Sequence, residues 1–264
     1  MIKVGYDAGH GLYTPGKRTP DDEREWTFND KVARAFANEL ALYSGVASKR
    51  FDDPSGKTDV PLKTRTDGAN NWGANYYISF HHNANTGKWG TWGGVETHIY
   101  NKTKNPKSIA LANAIQPVLV KNYCLRDRGI KKTDLHITRE TDCAAVLIEG
   151  GFMDSTTDIG ALRNDTILAN VGKSIAQAFA NLVGLKKSSE VKGISITLGM
   201  EKTKVPQQLL NDTGRIAARE LIKKGVKEKV FTSKHENVDK YEDKELISYG
   251  FAYINRKFDF DAKS

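Results

Sequence analysis

An α/β layer fold with a small second module at its C-terminal end is the architecture that this sequence predicts. From residue 1 to about residue 185, strand-like apolar runs alternate with helix-like patterns, and this alternation is typical of α/β layers. Residues 186–194 are polar and charged without apolar periodicity, so we assign them to a linker. Residues 195–264 regain helical apolar spacing and predict a separate domain that is either α+β or mainly helical.

The predicted strands are short apolar runs bounded by turn residues, a length and composition typical of strands buried in a sheet. In chain order they are IKVGYDA, VASKRF, NYYISFH, VETHIY and AAVLIE, of which VASKRF has the weakest pattern. We expect these runs to form the sheet of the first domain.

The predicted helices of the first domain lie between these strands. EWTFNDKVARAFANELALY has apolar residues at helical spacing from Phe28 to Leu40. PKSIALANAIQPVLVKNY predicts a second long helix, which Pro117 should kink or interrupt because proline lacks the backbone N–H. TDIGALRNDTILANVGKSIAQAFANLVG predicts a short helix, a break at residues 163–165, and a terminal helix that ends with Gly184 as its C-cap.

The C-terminal module is small and basic. GISITLG predicts a short strand, and VPQQLLNDTGRIAARELIKKG and KYEDKELISYGFAYINRKF predict helices. A module of about 70 residues has a marginal core, so self-association could help to bury its apolar faces. Residues 186–264 hold 17 Lys and Arg against 12 Asp and Glu. This excess favours an anionic polymer as partner, although solvated surface lysines explain it equally well.

The sequence carries no signal for export or membrane insertion. It contains no apolar stretch near the roughly 20 residues that cross a bilayer. The N-terminus, MIKVGYDAGHG, lacks the basic region and apolar region of a secretory signal. We therefore expect the protein to stay in the cytoplasm unless something else releases it. Cys124 and Cys143 lie outside any CxxC pattern and are expected to be incidental thiols.

Four polar residues stand where strands end or a helix begins. His10 and His81 each end a strand-like run, Glu25 opens a helix, and Glu149 closes the apolar run AAVLIE. Open α/β sheets place their ligands beyond the carboxyl ends of strands. Two imidazoles and one carboxylate bind one zinc ion and leave a coordination position for water, and a further carboxylate can move protons. The pattern therefore indicates a hydrolytic zinc site.

Neighbouring residues compete for two of these positions. Glu23 is the rival of Glu25 as a metal ligand, and a carboxylate in a first helical turn is also stabilised without a metal. His81 and His82 point to opposite sides of a strand, so one of them faces the site. We choose His81. Asn83 follows directly and is suited to holding a substrate amide beside the metal.

Two further interpretations concern charged neighbours. Burial at the end of an apolar strand would raise the pKa of Glu149 and suit it to acid–base work, whereas a salt bridge to Arg128 or Arg139 would make it structural. Asp7 could accept a hydrogen bond from His10 and orient its ring, or it could cap the turn.

Separated motifs in the chain resemble those of a known enzyme family. DAGHG at residues 7–11, EWTFN at 25–29, LKTRTDGANNWGANYYISFHHNA at 62–84 and AAVLIEGGFMDS at 144–155 are similar to the zinc-dependent N-acetylmuramoyl-L-alanine amidases of type 3. The resemblance covers about residues 1–185. Ala8 and Ala144 stand where the family usually has proline.

The resemblance implies a fold, a reaction and roles for the four residues. The implied fold is a twisted, mostly parallel sheet flanked by helices. His10, Glu25 and His81 match the family's zinc ligands, and Glu149 matches its catalytic glutamate. The implied reaction is hydrolysis of the peptidoglycan amide that joins the lactyl group of N-acetylmuramic acid to L-alanine.

The whole chain resembles a phage endolysin in its architecture. The C-terminal module is similar to wall-binding domains of some Bacillus-phage amidases, most clearly in KYEDKELISYGFAYINRKF. This implies a Gram-positive wall polymer as partner, with neither nucleic acid nor membrane insertion, and release from the host cytoplasm through a holin pore. The alternatives are a zinc peptidase that cleaves stem peptides and a non-enzymatic wall-binding protein.

Overall fold

The structure is a computed structural model that describes residues 1–103, 105–188 and 222–223. Contacts along the chain separate residues 1–195 from residues 196–264. The strand GISITLG and the helix KYEDKELISYGFAYINRKF predicted after the linker lie outside the described residues, and of the predicted helix VPQQLLNDTGRIAARELIKKG only residues 222–223, which are helical, are described. The description below therefore concerns the first unit.

A six-stranded mixed sheet forms the centre of this unit, with the strand order β2-β1-β3-β6-β4-β5. Within the described residues, neighbouring strands are parallel except for β4 and β6, which are antiparallel. The prediction of an α/β fold is confirmed. The strands are β1 (Ile2–Ala8), β2 (Val46–Arg50), β3 (Tyr76–Asn83), β4 (Val95–Tyr100), β5 (Asp127–Thr133) and β6 (Ala144–Phe152).

The helices largely follow the predicted pattern. The second long helix has the predicted span, whereas the first ends at Leu40, three residues before the end of the predicted segment. The break before the last helix falls at Arg163 and Asn164. Gly184 closes the last helix with a φ of 73°, which confirms its role as C-cap. The helices are α1 (Glu25–Leu40), α2 (Leu62–Trp72), α3 (Pro106–Tyr123), α4 (His136–Glu140), α5 (Ile159–Leu162) and α6 (Asp165–Val183).

Helix α3 runs through Pro117 as one helix, so the interruption predicted there is wrong. Leu111 and Ile115 before the proline and Leu119 after it are all fully buried. Because tertiary packing of an apolar face supplies most of a helix's stability in a protein, burial on both sides holds α3 together. Strand β5 and helix α2 were not predicted, because DRGIKKT and LKTRTDGANNW are mostly polar.

The two faces of the sheet differ in how they are packed. Side chains of even-numbered residues on β1, β3 and β6, such as Val4, Phe80 and Val146, form the main core with α1, α3 and α6. The opposite face carries a smaller cluster in which Tyr77 and Ala145 pack with residues of α2 and α4. Successive side chains of a strand point to opposite faces, so His81 and His82 lie on different sides of the sheet.

The end of the first unit extends into the predicted linker. Lys187 forms an ion pair with Glu39 of α1 at 2.9 Å, and the Ser188 amide donates to the Leu42 carbonyl. Cys124 and Cys143 are both free thiols, as predicted. Among the helices of the described part of the chain, none is long and apolar enough to cross a membrane.

Candidate active site

The predicted site residues converge at one edge of the sheet. Strands β1, β3 and β6 are adjacent and parallel, so their carboxyl ends lie side by side. His10 follows β1, while His81 and Glu149 are register partners on β3 and β6. Helix α1 begins at Glu25 beside these strand ends. The topology thus brings together residues that are far apart in the sequence.

The turn after β1 is built to fit the His81 ring. A Cβ atom on Gly9 would lie only 2.1 Å from Cε1 of His81, so glycine is required there. The next residue, His10, has a φ of 64°, which is uncommon for a residue with a side chain. Such backbone conformations occur preferentially at functional sites because the surrounding structure holds them in place.

Arg65 of α2 donates hydrogen bonds to residues of this turn. Its Nη1 donates to Asp7 Oδ2 and to the Ala8 carbonyl, both at 2.9 Å, and its Nη2 donates to the His10 carbonyl at 3.2 Å. Arg65 and Asp7 are both almost fully buried. The prediction that Asp7 orients the ring of His10 is wrong, because its carboxylate faces the guanidinium of Arg65.

His10, Glu25 and His81 lie close enough to hold a metal ion. Their donor atoms are all within 4.8 Å of one another. Nε2 of His10 is 3.4 Å from Oε2 of Glu25, and Nδ1 of His81 is 3.0 Å from Oε1. Zinc–ligand bonds of about 2.0–2.2 Å in a tetrahedron place neighbouring ligand atoms about 3.3–3.6 Å apart. The donor types of the three residues fit a zinc ion, and the distances from Glu25 to the two imidazoles are close to this range.

Burial and mutual charge set the protonation states of the three clustered residues. Burial acts to raise the pKa of Glu25, but the hydrogen bond and charge of His81 and the charge of His10 outweigh it and lower this pKa to about 2. Burial lowers the pKa of His10 to about 4. At neutral pH the cluster therefore contains an ionised carboxylate and a neutral imidazole on His10, the forms that bind metals. Burial acts to lower the pKa of His81, but the hydrogen bond and charge of Glu25 outweigh it and raise this pKa. The His81 ring therefore holds a proton more tightly than a free imidazole, and a cation has to compete with that proton.

Glu149 is a carboxyl group without a cationic partner. Its Oε2 is buried and accepts no hydrogen bond. Burial, reinforced by the charge of Glu25, raises the pKa of Glu149 to about 8. The alternative of a salt bridge is wrong, because Arg128 pairs with Glu96 at 2.7 Å and Arg139 pairs with Glu140 at 2.6 Å. A carboxyl in this state can exchange protons near neutral pH.

The rival residues lie elsewhere. Glu23 pairs with Arg163, whereas Glu25 turns towards the strand ends. His82 is buried on the other face, where its Nδ1 lies 2.7 Å from Asn29 Oδ1 and its Nε2 lies 2.9 Å from the Tyr123 hydroxyl. Burial lowers the pKa of His82 to about 3, so this ring is neutral.

Asn83 lies two residues beyond His81 at the end of β3. Its amide nitrogen donates to Glu96 Oε1 at 3.2 Å, and its oxygen accepts from the Ala84 amide at 2.8 Å. A substrate amide that binds Asn83 would have to replace one of these two hydrogen bonds.

A cavity opens beside the cluster. Its volume is about 260 Å³, and its lining includes His10, His81 and Arg65 together with the more apolar Val60, Pro61 and Leu62. Sequence reasoning missed Arg65, Asn29, Tyr123 and Glu96 as neighbours of the site. The pattern around Asn29, four residues after Glu25 on one helix face, was the available signal for that residue.

An α/β sheet whose strand ends carry imidazoles and carboxylates beside a cavity is typical of metal-dependent hydrolases. The chain matches the N-acetylmuramoyl-L-alanine amidase family over residues 4–181. It belongs to this family, as its motifs indicated.

Characterised relatives and solved structures agree with this assignment. The chain is 30% identical over 207 residues to the sporulation-specific N-acetylmuramoyl-L-alanine amidase of Bacillus subtilis, covering 77% of each chain. It is 32% identical over 193 residues to the endolysin of Bacillus phage SPP1, covering 70% of this chain and 68% of the endolysin. The catalytic domain of CwlV, an amidase from Bacillus (Paenibacillus) polymyxa, superposes with a TM-score of 0.64 at 28% identity, covering 70% of this chain and 100% of that domain.

Proposed function

We propose that this protein is a zinc-dependent amidase that cleaves the bond between the lactyl group of N-acetylmuramic acid and L-alanine in peptidoglycan. One observation carries the proposal: His10, Glu25 and His81 have the spacing of zinc ligands beside the buried carboxyl of Glu149. Membership of the amidase family supports the same substrate.

The chain's own residues divide the chemistry between them. His10, Glu25 and His81 would hold one Zn²⁺, which when bound supplies Lewis acidity that lowers the pKa of water and polarises a carbonyl oxygen. Glu149 accepts a proton from the attacking water and later donates it to the leaving amine nitrogen. Its raised pKa suits both transfers, because the group both accepts and releases protons near neutral pH.

Substrate positioning falls to residues around the cavity. Asn83 is proposed to hold the substrate amide, exchanging its bond to Glu96 for one to substrate. The apolar wall of Val60, Pro61 and Leu62 suits small aliphatic groups on either side of the scissile bond.

Digestion of purified peptidoglycan tests the reaction. We expect new L-alanine amino termini and intact lactyl carboxyl groups on muramic acid. Release of D-amino acids instead would support a zinc peptidase that acts on stem peptides, and wall binding without any new termini would support a non-enzymatic protein. Elemental analysis of the purified protein should give one zinc per chain.

We further propose that the protein acts as a phage endolysin. The SPP1 relative is named an endolysin, and the basic residues 186–264 suit an anionic Gram-positive wall polymer. In this role the protein accumulates in the host cytoplasm and reaches the wall only after a holin pore has formed. A chain truncated after residue 188 should still cleave soluble muropeptides but should no longer sediment with Gram-positive walls. Unchanged sedimentation would contradict the targeting role of the C-terminal domain.

A further inference from the structure

A buried chain of hydrogen bonds leads away from Glu25 to the far side of the sheet. It passes from Glu25 to Asn29 on α1, then to His82 on β3, and ends at Tyr123 on α3. Asn29, His82 and Tyr123 are 0%, 3% and 2% exposed, so water does not replace these bonds. We refer to these three residues as the Asn29–His82–Tyr123 chain.

The direction of every bond in this chain follows from its ends. The Asn29 Nδ2 lies 3.2 Å from Glu25 Oε1 and 3.1 Å from the Gly9 carbonyl, and both of these atoms only accept. The amide oxygen of Asn29 therefore faces His82 and accepts from Nδ1–H. The remaining ring nitrogen of His82 accepts from the Tyr123 hydroxyl, so the polar side-chain groups that form the chain each have a partner.

The two oxygens of the Glu25 carboxylate have different partners. Oε1 accepts from Asn29 Nδ2 and from the backbone N–H of His82 at 3.3 Å, as well as from His81. Oε2 faces His10 at 3.4 Å. Asn29 and the His82 amide thus hold the carboxylate through Oε1, while each of its two oxygens faces one imidazole of the cluster.

The strand that carries Glu149 leaves room for the last bond of the chain. A Cβ atom on the next residue, Gly150, would lie 2.5 Å from the Tyr123 hydroxyl and 2.7 Å from Nε2 of His82. A side chain at this position would displace the hydroxyl or the imidazole. The glycine at position 150 of β6 therefore leaves the space that the hydrogen bond between His82 and Tyr123 requires.

We propose that Asn29, His82 and Tyr123 are positioning residues that hold the Glu25 carboxylate in the orientation required to bind the cation. The inference rests on the proposed zinc centre. Residues that hydrogen-bond a metal ligand typically affect metal affinity by about 10–100-fold, because they fix the orientation of the ligand before the ion arrives. Tyr123, which has no contact with the metal cluster itself, acts only through His82 and Asn29.

Zinc affinity measured by competition with a chelator tests this role independently of catalysis. The variants are Tyr123→Phe, which removes one hydroxyl at the far end, and Asn29→Leu, which removes both amide bonds at similar volume. Tyr77→Phe is the matched control, because it removes a fully buried tyrosine hydroxyl from the opposite face of the same strand. Absorption of the Co²⁺-substituted proteins reports the geometry of the ligands.

We expect Asn29→Leu to weaken zinc binding by about 10–100-fold and Tyr123→Phe by about 3–10-fold, with altered Co²⁺ spectra, while Tyr77→Phe stays within about twofold of the parent protein. Parent-like affinity and spectra in Tyr123→Phe and Asn29→Leu would overturn the positioning role. An equal loss in Tyr77→Phe would overturn it too, since the effect would then be one of general stability. If Asn29→Leu does not fold, Tyr123→Phe decides alone. A parent protein that binds no zinc would instead refute the metal centre itself.

Discussion

The two faces of the central sheet differ in whether their buried polar side-chain atoms have hydrogen-bond partners. On the face covered by α1, α3 and α6, His82 is buried with a partner for each ring nitrogen. On the face covered by α2 and α4, buried side-chain atoms lack partners. Across the described residues, the unpartnered buried atoms are Asp7 Oδ1, Tyr77 Oη, Ser79 Oγ and Glu149 Oε2, and all belong to odd-numbered residues of β1, β3 and β6.

The two faces of the sheet therefore contribute differently to the stability of the fold and to the proposed chemistry. Unsatisfied buried polar atoms cost free energy, and native proteins keep few of them. Here they follow β1 and β3 up to the edge where Glu149 meets His81. The satisfied face stabilises the fold, whereas the unsatisfied face carries a carboxyl whose lack of a partner keeps its proton exchangeable.

The largest expected effect comes from replacing the unpartnered carboxyl. Glu149→Gln should lower the rate of amide cleavage by about 10³-fold, equivalent to about 4 kcal/mol in the activation barrier, because an amide does not accept the proton from water. Zinc content should stay at the parent level, since Glu149 is not among the three clustered ligands. Counting the amino termini released from peptidoglycan measures the effect. A loss smaller than tenfold would contradict the role of Glu149.

The next effect concerns the buried ion pair below the site. Arg65→Met should lower the free energy of unfolding by about 3 kcal/mol, because Asp7 would be left buried without its cation. Lys63→Met on the same helix is the control. Its ion pair with Asp67 is 79% exposed on the lysine side and should contribute less than about 0.5 kcal/mol. Urea denaturation compares them, and equal losses would contradict the assigned burial cost.

A pH dependence follows from the raised pKa of Glu149. The pKa rises from the ordinary value of 4.5 to about 8 in the folded protein. The folded state therefore binds this proton more tightly, and the stability that it contributes below pH 4.5 is lost as the pH rises towards 8.

In chelator-stripped protein, the parent should lose about 4 kcal/mol of unfolding free energy relative to Glu149→Gln over this range. Denaturation series at several pH values measure the difference between the two proteins, from which titrating groups that do not interact with Glu149 cancel. A difference that does not change with pH would show that Glu149 is solvated.

The smallest effect compares two buried hydroxyls. Ser79→Ala removes a hydroxyl without a partner and should change stability by less than about 0.5 kcal/mol, or increase it. Thr97→Val removes a hydroxyl that donates to Gln116 Oε1 at 2.8 Å, and should cost about 1–2 kcal/mol because that buried acceptor loses its partner. Thermal unfolding ranks the two variants. The reverse order would contradict the contrast between satisfied and unsatisfied groups.

Much of this arrangement followed from local sequence signals. Strand ends and the start of a helix placed His10, Glu25, His81 and Glu149 at one edge. Alternation along β3 predicted that one of His81 and His82 faces the site, and His81, the residue chosen, lies there. Their chemical roles remain proposals.

What the sequence did not yield were contacts between distant segments and elements with polar patterns. The bonds of Arg65 to Asp7 and of Tyr123 to His82 join helices to strands far away along the chain, where no periodicity relates the partners. Strand β5 lies at the edge of the sheet and none of its residues is fully buried, so an apolar run is not needed to form it. The reversed direction of β4 relative to β6 likewise has no local signature.

The strand order also determines the stage of synthesis and folding at which the four site residues first come together. Strand β3 pairs with both β1 and β6, and β6 is the last strand of the sheet along the chain. A growing polypeptide holds His10, Glu25 and His81 long before the segment with Glu149 has been synthesised. Because pairing between distant segments is slow and comes late in folding, Glu149, the proposed proton-transfer group, joins the others only as the sheet is completed. Nascent and truncated chains that lack β6 are therefore expected to be inactive.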